Sequence, residues 1–84
     1  MNPLKSVATP DFWDCYNALP EHIRKRANVV YEIWRENPRH PSVQFERKGA
    51  FWSARVTDDY RALAVLDGET VVWFFIGTHA NTIG

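Results

Sequence analysis

Apolar residues recur at helical spacing through the first half of the chain and at every second position through the rest, which predicts helices followed by strands. Leu4 to Ala8 reads as a short edge strand. Thr9-Pro10-Asp11 is a helix start, with a capping hydroxyl, proline at the first helical position and an acid at the positive end of the dipole. Phe12, Tyr16 and Leu19 then fall on one helical face. Pro20 ends that helix near Leu19, because proline disfavours helical backbone in the residue before it, and the same proline can open a second helix. Ile23, Ala27, Val30, Tyr31 and Trp34 carry the second helix to about Glu36, where Asn37-Pro38 stops it.

After the proline-rich loop from Asn37 to Pro41 the period becomes that of a strand. Val43 and Phe45 alternate with polar residues, and Lys48-Gly49 marks a turn. Trp52, Ala54 and Val56 alternate with Ser53, Arg55 and Thr57; Asp58-Asp59 then turns the chain into a strand from Tyr60 to Leu66. Asp67-Gly68 predicts a type I′ hairpin, whose two central residues need positive φ. Thr70 to Thr78 is the last strand. Together these elements predict an α+β domain over residues 1–84, of order β-α-α-β-β-β, with a helical hairpin packed on one face of a twisted antiparallel sheet.

Two details of register bear on function. A two-residue loop at Asp58-Asp59 would pair Thr57 with Tyr60 and put Arg55 and Arg61 on opposite faces. A three-residue loop from Asp58 to Tyr60 would pair Thr57 with Arg61 and put both arginines on one face, and this is the arrangement expected here. In the last strand, Val71, Trp73 and Phe75 should face one way and Val72, Phe74 and Ile76 the other. Both sets are large and apolar, yet the helices can cover only one face. Trp73, Phe74 and Phe75 are therefore the expected partner-binding surface, filled by a second protein or, for the isolated chain, by a homodimer.

Composition narrows the class. Eighty-four residues, 45% hydrophobic and 14% aromatic, suffice for one core. Cys15 is the single cysteine, so no internal disulfide can form, and it reads as a small core residue. His22 and His40 lack ligand spacing, so no metal and no cofactor are expected. The first nine residues lack a signal-peptide pattern, and the longest apolar run, Val71 to Ile76, falls far short of the roughly 18 residues that span a bilayer. A cytoplasmic protein is expected. Ten basic and ten acidic residues give zero net charge, so any nucleic-acid contact must come from a local basic face and not from the overall field.

Arg55 and Arg61 lie inside predicted strands. They read either as solvated arginines on an open sheet face or as paired guanidinium forks for phosphate. His79, just after the last strand, is either a surface residue or a proton carrier at a scissile phosphate. Arg24-Lys25-Arg26 is a solvated helix face that could also touch an RNA backbone or an acidic partner.

Taken in order, Leu19-Pro20-Glu21-His22-Ile23-Arg24, Asn37-Pro38-Arg39-His40-Pro41-Ser42, Trp52-Ser53-Ala54-Arg55-Val56, Tyr60-Arg61-Ala62-Leu63 and Trp73-Phe74-Phe75-Ile76-Gly77-Thr78-His79 resemble the RelE/ParE superfamily of bacterial toxins over about residues 10–79. The resemblance implies a toxin of a type II toxin–antitoxin system, held by a cognate antitoxin. It also implies one of two actions. The first is metal-free cleavage of mRNA at the ribosome, in which the RNA 2′-hydroxyl attacks the adjacent phosphate. Arg61 then matches the phosphate-binding arginine, Arg55 the recurrent arginine of the preceding strand and His79 the terminal basic position, with Arg47 or Lys48 and Arg24 as further RNA contacts. The second is a non-catalytic protein acting through its antitoxin or a gyrase-type target. Relatives of the nuclease type often carry tyrosine three residues after Gly-Thr-His, where this chain has Thr82.

Overall fold

The computed structural model describes residues 5–78. Strand β1 (Lys5–Ala8) leads into helices α1 (Pro10–Asn17) and α2 (Glu21–Glu36), followed by strands β2 (Glu46–Lys48), β3 (Phe51–Arg55), β4 (Tyr60–Asp67) and β5 (Thr70–Thr78). The strands form one sheet of order β1-β5-β4-β3-β2. The expected helical hairpin and antiparallel run are present, with two additions. The short β2 adds a strand to the predicted order. β1 pairs with β5 in parallel, so the sheet is mixed. A chain that leaves β1, runs through two helices and returns along the far edge reaches β5 only after three hairpins, and the directions of β1 and β5 then coincide.

Local chemistry sets the element ends. The Thr9 hydroxyl accepts from the Phe12 amide at 3.1 Å, with Pro10 in the first turn behind it. At the corner, the Pro20 carbonyl accepts from the amides of Ile23 and Arg24 at 3.0 Å each. The Arg24 guanidinium donates to the Leu19 carbonyl at 2.6 Å and ties the two helices together there. Both tight hairpins have a glycine of positive φ as their first central residue, Gly49 at +65° and Gly68 at +63°. In the second, Asp67 pairs with Thr70, so the central residues are Gly68 and Glu69, and Glu69 has negative φ. The expected type I′ turn at Asp67-Gly68 is thus shifted by one residue. It has positive φ only at its first central position, the pattern of type II′.

The helices cover one sheet face. Leu19, Ile23, Val30 and Trp34 pack there against Val43, Ala54, Val56, Ala62, Ala64, Val71, Trp73 and Ile76. Trp34 is at the centre, with ring centroids 5.2 Å from Trp73 and 5.5 Å from Phe45. The β5 alternation changes phase midway. Leu63 pairs with Phe75 but Ala64 pairs with Trp73, so Phe74 is the extra residue of a bulge. The face assignment expected for the last strand is therefore overturned. Val71, Trp73 and Ile76 point under the helices, while Phe75, opposite Leu63, points to the uncovered face.

Candidate functional site

The uncovered face of the sheet carries the arginines. Arg55 and Arg61 are direct cross-strand partners on β3 and β4, so their side chains leave the same face, opposite to Ala54 and Ala62 in the core. The expected outcome holds, although the pairing that produces it does not. Thr57 does not pair with Arg61. The ladder closes at Arg55–Arg61, and a longer connection is tied by Val56 and Thr57 amides donating to the Tyr60 carbonyl at 3.0 and 3.2 Å. The Thr57 hydroxyl accepts from the amides of Asp59 and Tyr60 at 3.1 and 3.2 Å, and these bonds set the shape of the turn.

Each arginine is held. The Arg55 amide donates to the Val43 carbonyl at 2.7 Å, which anchors its backbone to a fully buried residue. Its Nη2 reaches the Asp58 carboxylate at 2.5 Å. That hydrogen bond and the guanidinium charge hold the Asp58 carboxyl below its ordinary value of 3.8. Arg61 Nη1 donates to the hydroxyl of Ser53 at 3.4 Å, a long contact to a buried residue on the same face. Arg61 is itself the partner of Gly77 on β5. A Cβ on Gly77 would lie 2.7 Å from Cζ of Phe75, so the glycine leaves room for the end of the Phe75 ring.

Register sorts the other predicted residues. Lys48, opposite Phe51, and Glu46, opposite Ser53, share the arginines' face and form an ion pair of 3.4 Å. Arg47, opposite Trp52, leaves the other face, and its Nε donates to the Gly49 carbonyl at 3.0 Å. Arg24 also stands apart, spent on the helix corner. Arg47 departs because only residues of one parity on each strand can meet on one face, and Arg24 because it lies on α2, which packs on the opposite face. His79 and Thr82 lie outside the described residues. Sequence reasoning missed Asp58 and Glu46. The signal for Asp58 was its spacing of three from Arg55 across a tight turn.

The aromatic expectation divides. Trp73 is 6% exposed and donates from Nε1 to the Ser6 hydroxyl at 3.0 Å, so it is core and not an exposed partner surface. Phe74 and Phe75 remain half-buried, and Phe74 meets Phe51 edge-on at 6.2 Å on the arginines' face. Leu63, opposite Phe75, lies beneath them. On the helical side Trp13 and Tyr31 rim a cleft of about 160 Å³ between β1, α1 and α2, while Val7, opposite Val72, exposes its side chain on the arginines' face. Among the described residues no cluster of three or more potential ligands could hold a metal, and no helix is long and apolar enough to cross a membrane.

No protein-family model matches the sequence, and no curated protein does. Solved structures do match. The YoeB/ParE toxin from Agrobacterium tumefaciens superposes with a TM-score of 0.69 at 21% identity, covering 90% of this chain and 99% of that one. The RelBE2 toxin–antitoxin complex from Mycobacterium tuberculosis gives 0.64 at 23% identity, over 92% of this chain and 99% of that one. The DinJ–YafQ toxin–antitoxin complex from E. coli gives 0.73 at 11% identity, over 98% and 99%. Two helices on a five-stranded mixed sheet, matched nearly end to end by these toxins, show that the chain has the RelE/ParE toxin fold.

Proposed function

We propose that this chain is the toxin of a toxin–antitoxin pair and that it cleaves RNA on the uncovered face of its sheet. The observation that carries the reading is the direct pairing of Arg55 and Arg61 on that face. Two guanidinium groups that leave one face from paired positions can be bridged by a phosphodiester, whose oxygens match their forks. In the reaction the RNA 2′-oxygen attacks the adjacent phosphorus as its proton is removed. The phosphorane forms against the two arginines, and the bond from phosphorus to the 5′-oxygen breaks as that oxygen takes up a proton. The products are a 2′,3′-cyclic phosphate and a free 5′-hydroxyl. His79, two residues beyond the partner of Arg61 in sequence, is the proposed proton donor. Two of the three structures named above are toxin–antitoxin complexes, which supports an antitoxin as the partner of this chain.

Induced expression in bacteria tests the reading. The wild-type chain should arrest growth and leave RNA fragments ending in 2′,3′-cyclic phosphate, and co-expression of a cognate antitoxin should relieve the arrest. Arg61→Ala, at equal soluble level, should lower cleavage by roughly 100- to 1,000-fold, the usual loss when one donor to a developing negative charge is removed. Undiminished cleavage in that variant would refute the nuclease mechanism. The zero net charge favours a second reading, a toxin that binds a protein target. Growth arrest with intact RNA would select it.

A further inference from the structure

Asp58 is in direct contact with Arg55 and has no role in the reading above. Its side chain is 89% exposed, while that of Arg55, its partner, is 29% exposed, so the ion pair joins a partly buried guanidinium to a carboxylate in solvent. An incoming anion would approach from the solvent side. The turn that carries Asp58 does not need the carboxylate for its shape, because Thr57 and Tyr60 supply its hydrogen bonds. Among the described residues Asp58 has Arg55 as its side-chain partner. Arg55 and Arg61 are direct cross-strand partners, and Asp58 neutralises the charge of Arg55.

From this geometry we propose that the Asp58 carboxylate is an internal stand-in for a phosphate. It occupies the Arg55 guanidinium in the free protein, and a phosphodiester must displace it to be held by Arg55 and Arg61 together. The proposal rests on the phosphate reading of the arginine pair and adds a tuning residue to it. Displacement needs only side-chain motion, since the Arg55 backbone stays bonded to the Val43 carbonyl. An exposed ion pair resists competition by about fivefold at most, so Asp58 weakens anion binding without preventing it. The same competition weakens every anion that must displace Asp58 by the same factor, so the carboxylate sets the affinity of the site and not its preference among anions.

The test is the affinity of the purified chain for a short fluorescent single-stranded RNA, measured by anisotropy at low salt. Asp58→Asn should bind about three- to fivefold more tightly than wild type. Asp59→Asn removes the same charge from the neighbouring exposed position and should leave affinity close to wild type. In an Arg55→Ala background the Asp58→Asn gain should vanish, because the carboxylate then has no guanidinium to pair with. Equal or weaker binding by Asp58→Asn, an equal gain in Asp59→Asn, or a gain that persists without Arg55 would each overturn the proposal. Failure of the underlying reading looks different. Arg61→Ala would then bind RNA as wild type does, or no variant would bind it at all, and the second outcome removes both ideas.

Discussion

The two faces of the sheet are built from the same strands and obey opposite rules. Under the helices, Trp34, Phe45 and Trp73 interlock, and Val71, Ala64 and Val43 are wholly buried. On the other face, Phe51, Leu63, Phe74 and Phe75 make a thinner apolar patch that gives way to Ser53, Arg55 and Arg61. The covered face is specified by volume, since interiors are close-packed and tolerate few voids. The uncovered face is specified by charge placement, which contributes little to stability and can therefore be committed to a ligand. Neighbouring residues on one strand thus answer to different constraints.

Trp73 and Phe74 give the strongest test of that contrast, being adjacent in sequence, with Phe74 the bulged residue. Trp73→Ala should cost about 3–5 kcal/mol in denaturant unfolding, the usual loss for a buried tryptophan. Phe74→Ala should cost roughly 1–2 kcal/mol, because a half-buried ring loses less apolar contact. Equal costs would mean that the two faces are not distinct in energy. Gly77→Ala comes next. Its Cβ would meet the far end of the Phe75 ring, which can swing aside, so a cost of about 1 kcal/mol is expected. Phe75→Leu in the same chain should recover most of it, whereas an unrecovered loss would place the strain in the backbone.

The smallest effect is electrostatic and belongs to the uncovered face alone. Arg55 lowers the folded-state pKa of Asp58, so the pair's contribution to stability is fully present above the ordinary carboxylate value of 3.8. It is lost as pH falls below that value, through the folded-state pKa. The Asp58 carboxyl carbon, followed by NMR, should titrate below 3.8 in the wild-type chain and move up toward it in Arg55→Ala. A midpoint that ignored Arg55 would show that the ion pair does not persist in solution.

The helices and hairpins were legible in the chain because their signals are local. Thr9 and Pro10 start α1, Pro20 makes the corner, and Gly49 and Gly68 make the turns, each through its own backbone preferences. The same locality made Arg55 and Arg61 visible as charges within strands. It could not show that Arg47 points away from Lys48 into the helical side, or that Arg24 is consumed at a helix corner. Those outcomes depend on which face the helices cover.

Sequence by itself determined the order of elements, the apolar periodicity and the presence of two strand arginines. Tertiary structure alone decided the parallel pairing of β1 with β5, the bulge at Phe74 and the face on which each aromatic lies. It also decided that Asp58 meets Arg55. The physical reason is the two-residue period of a strand. A single inserted residue reverses every side chain beyond it, and no local preference in Trp73-Phe74-Phe75 marks where the insertion falls. Only the competition of neighbouring strands for hydrogen bonds, and of side chains for space beneath α1 and α2, selects the position.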